Sequence, residues 1–262
     1  MNFTQPLHII LPEFHSFLIV ASRTGGIVAA LPMLGGRTVP PRIKLALVLM
    51  LSLVLAPSVR MPAMIDDPTV MTAGLASELL IGFVIGMAVR LLFSALEIAG
   101  EIAGTQMGFS MAQLLDPMTS QSTPMVGQLY TLVASLVFLS LNGHMMVVSA
   151  LVSSYDSIPP FGAMLAPVVG EEVLRLSQHM FVLALQLAGP VLAVVMLINI
   201  LLAMLGRAVA QVNVFVLSFP LTIAGGLLVL GLALPFMVAL LEREFIELHE
   251  TIKGLVRAMG HG

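Results

Sequence analysis

LLIGFVIGMAVRLLFSALEIAGEIAGTQMG, residues 79–108, is the stretch whose reading decides the fold. Its apolar positions run on without the alternation that a half-buried strand needs, and only Arg90, Glu97 and Glu101 carry charge. An apolar run of roughly 20 residues is the length of a helix that crosses the hydrocarbon of a bilayer. Within the stretch Gly82 and Gly86 stand four residues apart, and Gly100, Gly104 and Gly108 repeat that step. On a helix this spacing clears a groove in which another backbone can lie close. It specifies contact without saying whether the partner helix belongs to this chain or to another subunit.

Working outward, the rest of the chain has the same character. Hydrophobic residues make up 58% of the 262 and charged residues 10%, too little polar surface for a soluble domain of this size. No Asp, Glu, Lys or Arg occurs from Pro117 to Tyr155, from Leu176 to Gly206 or from Ala208 to Leu241. Hydropathy yields six main apolar segments, at residues 8–34, 43–59, 70–96, 124–152, 176–205 and 209–241. The expectation is an all-α, polytopic integral-membrane protein forming one domain over residues 1–262. These runs are too long and too continuous for a membrane β-barrel, whose strands alternate over about ten residues.

Proline and glycine gather between the segments: Gly35, Gly36, Pro40 and Pro41; Pro57, Pro62 and Pro68; Asp116, Pro117 and Pro124; Pro159, Pro160, Gly162 and Pro167. Gly206-Arg207 alone separates the last two, as in a tight helical hairpin. From Glu242 to Gly262 charged residues interleave with Phe245, Ile246, Leu248, Ile252, Leu255 and Val256, the pattern of an amphipathic C-terminal helix. Orientation is not decided by the positive-inside count. Arg37, Arg42, Lys44 and Arg207 fall on one side, and Arg60, Arg175, Arg243, Lys253 and Arg257 on the other.

Several function classes find no support. A net charge of -3 with mixed signs suggests neither a nucleic-acid groove nor a polybasic surface. The absence of cysteine removes disulfides and thiol chemistry. The first basic residue is Arg23, already inside an apolar run, so the first segment is expected to stay instead of being cleaved as a signal peptide. There is no zinc-protease motif, phosphate loop or nucleophile elbow, and His144 has no second ligand at helical spacing. The chain is read as a non-enzyme with no metal and no cofactor.

Arg90, Glu97 and Glu101 fall within about 40° of one helix face. Ionisable groups in such a segment face a bundle interior, a partner or a water-filled path, with an ion pair at a helix end as the plain alternative. After them comes Gln106 to Met118, a mixture of apolar and small polar residues without sustained periodicity, broken at Asp116-Pro117. It reads as a re-entrant or constriction loop, because non-helical backbone at membrane depth survives only where protein buries it or where it lines a cavity. Methionine is abundant, nineteen residues of 262, and its flexible thioether suits Met107, Met111 and Met118 to a deformable seal. Asn142-Gly143-His144 interrupts an apolar segment and marks a kink or a helix end.

Gly35-Gly36-Arg37-Thr38-Val39-Pro40, Gly100 to Gly108, Leu115-Asp116-Pro117, Leu141-Asn142-Gly143-His144 and Phe215 to Leu221, in this order over about residues 20–250, resemble the FliR family of flagellar type III export-gate subunits. The resemblance implies a bacterial inner-membrane protein of the flagellar basal body. One copy would join several FliP and FliQ copies, with FlhB associated, in a helical core that passes unfolded flagellar proteins out of the cytoplasm. It implies helices that rise out of the usual bilayer plane, which would explain the undecided charge count. It also puts a plug at Gln106 to Ser122, with Gln106, Met107, Gly108, Phe109, Met111, Leu114, Leu115 and Met118 as gate residues. Met111 and Leu114 stand where relatives can carry aromatic rings, so a softer aliphatic seal is expected. Gly82, Gly86, Gly100 and Gly104 are assigned to subunit packing, and Arg90, Glu97 and Glu101 to interface charges. The rival reading, a small-molecule or ion secondary transporter, calls for an internal repeat with paired broken helices, and the sequence has no convincing one.

Overall fold

A computed structural model describes residues 5–35, 39–59, 67–109, 125–162, 167–209, 211 and 213–260. The described residues form helices and turns, with no strand among them. The helices are α1 (Gln5–Ala30), the short α2 (Pro32–Gly35), α3 (Pro41–Leu55) with a 3-10 turn at Ala56–Ser58, α4 (Pro68–Met107), α5 (Met125–Ser140), α6 (Gly143–Ser157), α7 (Pro167–Ala208) and α8 (Val214–Gly260). Pro41, Pro68 and Pro167 each open a helix, where the missing N–H costs no hydrogen bond and the fixed φ already suits the first turn.

Among the described residues each of the six expected apolar segments is mostly helical. Four helices are long and apolar enough to cross a membrane: Pro41–Ser58, Pro68–Met107, Val169–Ala208 and Val214–Gly260. α5 and α6, bent by 65° at their junction, make a fifth if they count as one broken span, and the apolar part of α1, Phe14–Ala30, is shorter. The break sits at Asn142, whose φ of 55 is the left-handed conformation that asparagine tolerates better than most residues. Its carbonyl accepts from the Met145 and Met146 amides and so starts α6.

Two expectations of extent change. Gly206-Arg207 is still helical, and the turn lies after Ala208. The amphipathic stretch from Glu242 is not a separate helix. It continues α8, a single helix of 47 residues that also carries Pro220 and Pro235 in its interior.

The chain divides into two compact units. The first comprises residues 1–91, 142–176 and 245–262. In it α1 and the start of α4 lie backbone to backbone: a Cβ on Gly26 would stand 2.2 Å from the Leu79 carbonyl oxygen, and one on Gly82 1.9 Å from that of Arg23. Between helices in lipid the hydrophobic effect gives no drive, so close approach and dispersion must supply the cohesion. α3 packs on α1. The end of α8 buries Phe245, Leu248, Ile252, Leu255 and Met259 at alternating steps of three and four, the seam of an amphipathic helix.

The second unit comprises residues 92–141 and 177–244. Here a Cβ on Gly100 would meet the Gly127 Cα at 2.3 Å, so α4 and α5 also touch through glycine backbones. Phe93 and Phe138 meet edge to face at 5.8 Å. α7 and α8 pack antiparallel: Gly206 faces Val214 near the turn, and Gly225 faces Ile198 further along.

Candidate functional site

In the second unit α4 ends on a built cap. The Phe109 amide donates to the Gly104 carbonyl and the Gly108 amide to that of Thr105, both at 3.1 Å, and Gly108 adopts φ 97. This is a Schellman motif, in which two otherwise orphaned carbonyls are satisfied by a glycine turning left-handed. The same helix end is tied to α8. Thr222 donates its hydroxyl to the Met107 carbonyl at 2.9 Å, Met107 is fully buried with its side chain against Gly226, and the Phe219 ring lies over Gly108. Of the expected gate residues, Gln106 is exposed at the end of α4, Met107 is a packed anchor, and Gly108 and Phe109 form the turn. Met111, Leu114, Leu115 and Met118, with the rest of residues 110–124, lie outside the described residues.

Beside this root is an open groove of about 320 Å³. Phe109, Met125, Leu129, Leu132, Leu227 and Leu230 line it, with Gln128 as its polar member. Phe109 and Met125 are the described residues that flank 110–124 on either side.

The four groove-forming glycines differ in use. Gly82 and Gly86 receive α1, Gly100 receives α5, and Gly104 meets only the Val126 side chain, at the ordinary distance of 3.5 Å. The helices that meet Gly82, Gly86 and Gly100 are this chain's own. Arg90, Glu97 and Glu101 are all exposed on the remaining face of α4, and among the described residues none of them forms an ion pair, so the internal pair weighed as the plain alternative does not occur there.

The sequence reading missed a buried cluster in the first unit. Arg23, on α1, donates Nε–H to Glu78 Oε2 at 2.6 Å, one terminal N–H to Ser154 Oγ at 2.9 Å and the other to the Ile158 carbonyl at 3.2 Å. Its guanidinium lies 3.9 Å above the centre of the Tyr155 ring. Glu78 also accepts from the Phe161 amide at 3.0 Å, and Phe161 has φ 64, which is costly for a bulky residue. The Phe161 ring occupies the space that a side chain on Gly74 would need. One Arg and one Glu, each the sole charge of its sign in its apolar segment, were the signal, since two such groups can be buried only together. A further pair, His179 with Glu244 at 2.7 Å, links α7 and α8 in the second unit. Among the described residues no three His, Asp or Glu side chains converge as a metal site would need.

The family described as "Bacterial export proteins, family 1" matches residues 14–248. The chain is similar to the "Flagellar biosynthetic protein FliR" of Escherichia coli (strain K12), 30% identical over 237 residues, which cover 89% of this chain and 90% of that relative. It is similar also to the proteins of the same name from Bacillus subtilis (strain 168), 28% identical over 97% of this chain and 99% of the relative, and from Aquifex aeolicus (strain VF5), 28% identical over 87% and 88%.

Proposed function

From the premise that this chain belongs to the bacterial export proteins, family 1, and is a membrane-embedded component of the flagellar export apparatus, we propose that it is a structural and gating subunit of the export gate. It assembles with FliP and FliQ, and with FlhB alongside, in the bacterial inner membrane at the flagellar basal body. Unfolded flagellar proteins pass through that assembly as extended chains. The subunit is not an enzyme, and the energy for transport comes from outside it.

One observation supports the reading of an assembly member: α4, an apolar helix long enough to cross a membrane, turns charge outward. Arg90, Glu97 and Glu101 are exposed on one face of it and form no ion pair among the described residues. Ionisable groups on such a helix face a bundle interior, a partner or a water-filled path, and a self-contained transporter would turn them inward.

The gate role rests on the root of residues 106–122. A segment that stoppers a passage must leave from a fixed point, and the cap at Gly108 with the Thr222 tie supports that. Mass measurement of a gently extracted native complex tests the assembly. A hetero-oligomer with FliP and FliQ is expected, and a lone chain that saturates with a small solute would return the transporter reading. Replacing residues 108–115 by a Gly/Ser linker is expected to raise ion conductance through the assembled gate while assembly holds, and unchanged conductance would remove the plug.

A further inference from the structure

From Ile81 to Met107 the face of α4 that the described residues leave open is charged, and from it we infer a docking surface for a single helix of a different subunit. That helix carries an acidic side chain opposite Arg90 and basic side chains opposite Glu97 and Glu101. The inference rests on the proposed reading of the chain as one member of an assembly.

From Ile81 to Met107 the exposed residues are Phe83, Arg90, Glu97, Glu101, Thr105 and Gln106. The first five lie within about 80° of one another around the helix axis. Neighbouring faces of α4 are already spent inside the chain, with Gly82 and Gly86 against α1 and Gly100 against α5. Between Glu78 and Glu97 Arg90 is the sole charge, and Glu78 is already paired with Arg23. Arg90, Glu97 and Glu101 have no such partner among the described residues.

Charge complementarity decides the occupant. Lipid tails leave the three charges without counter-ions or hydrogen bonds, the costly state for ionisable groups on a membrane helix. A second copy of this chain, inserted in the same direction and in register, sets Arg90 against Arg90 and Glu97 against Glu97, which repel. Sliding that copy by seven residues to bring Arg90 to Glu97 raises each successive chain by about 10 Å and never closes a ring. An antiparallel copy would match the charges but must be inserted the opposite way round. A helix of another sequence has none of these faults, provided that its basic groups lie about 10 Å and 16 Å along its axis from its acidic one. Ser94, half-buried between Arg90 and Glu97, is small enough to let such a helix approach.

The test uses the full chain in native membranes with the complete export apparatus. A photo-crosslinking residue placed at Ser94 is expected to capture one helix of another subunit, and sequencing of the crosslinked peptide is expected to find the opposite charges at those spacings. Arg90→Glu, and separately Glu97→Lys with Glu101→Lys, are expected to lower co-purified partner about tenfold, with recovery when the captured helix receives the reciprocal reversal. Arg90→Gln, which adds no repulsion, lowers it less, and this separates lost pairing from misfolding. Crosslinks to lipid alone or to another copy of this chain overturn the inference, as does a partner yield unchanged within twofold in the reversal variants. In those cases the export-gate reading stands as long as the wild-type chain still co-purifies with other subunits. A wild-type chain isolated alone overturns that reading and this inference together.

Discussion

Arg23 and Glu78 interrupt apolar helices, yet both are wholly buried and satisfied by each other, by Ser154, by the Ile158 carbonyl and by the Phe161 amide. Removing one partner leaves the other charge buried, so Arg23→Met is expected to cost about 3–5 kcal/mol. The double variant Arg23→Met with Glu78→Leu should cost less than the single one. Thermal unfolding in detergent reads both, and a double variant as damaged as the sum of the two singles would mean that the charges do not act as a pair. The glycines make a similar point. By spacing alone Gly100 and Gly104 are equivalent, but an added Cβ stands 2.3 Å from the backbone of Gly127 at the first and 3.5 Å from a valine side chain at the second. Gly100→Ala is therefore expected to lose on the order of 1–3 kcal/mol through forced separation of α4 and α5, and Gly104→Ala to be tolerated. Equal losses at the two sites would contradict that assignment. The sequence showed that a groove exists. Which glycine the groove depends on is a matter of how two helices cross, and spacing does not contain it.

At the level of elements, the six apolar segments and the kink at Asn142 were legible because long uncharged runs and a polar, glycine-containing break leave few other options. Helix ends were less so. The third apolar segment was read as residues 70–96, but α4 runs on to Met107, where Gly108 supplies the left-handed turn close to the expected start of the loop at Gln106; Asp116-Pro117 lies outside the described residues. A glycine just past an apolar helix was the available signal, hidden among three glycines at four-residue steps. The start of α4 has a titratable cap. The Thr69 hydroxyl and amide donate to the Asp67 carboxylate and hold it below the usual carboxylate range. A carboxyl depressed in the folded state stabilises above its ordinary value and loses that contribution as pH falls through its folded value. Amide exchange at Thr69 and Met71 is therefore expected to speed up as pH drops into that window, relative to helix interior amides. Asp67→Asn should flatten the relative profile, and an identical profile in the variant would exclude the cap as its source.

For the whole molecule the lesson is about solvent. Hydropathy could say that the chain avoids water, but it could not say where lipid ends and protein begins. α7 and α8 have 42 and 47 residues, well beyond one crossing. Their outer faces are uncharged only from Phe181 to Leu205 and from Phe215 to Phe236, about 36 Å and 32 Å, with Arg175, His179, Glu242 and Arg243 exposed beyond, and the open face of α4 is charged. The charged face suits another polypeptide better than it suits lipid, and exposed apolar surface left in water marks a chain for aggregation or proteolysis. Partners that bind only the folded chain stabilise it by mass action. Synthesised without FliP and FliQ, the chain is expected to be cleared several-fold faster in a pulse-chase measurement and to regain its half-life when they are restored. The Arg90→Glu variant should show the short half-life even with the partners present, because its face no longer matches theirs. Equal half-lives with and without the partners would mean that lipid alone covers the helices and that no partner covers the charged face of α4.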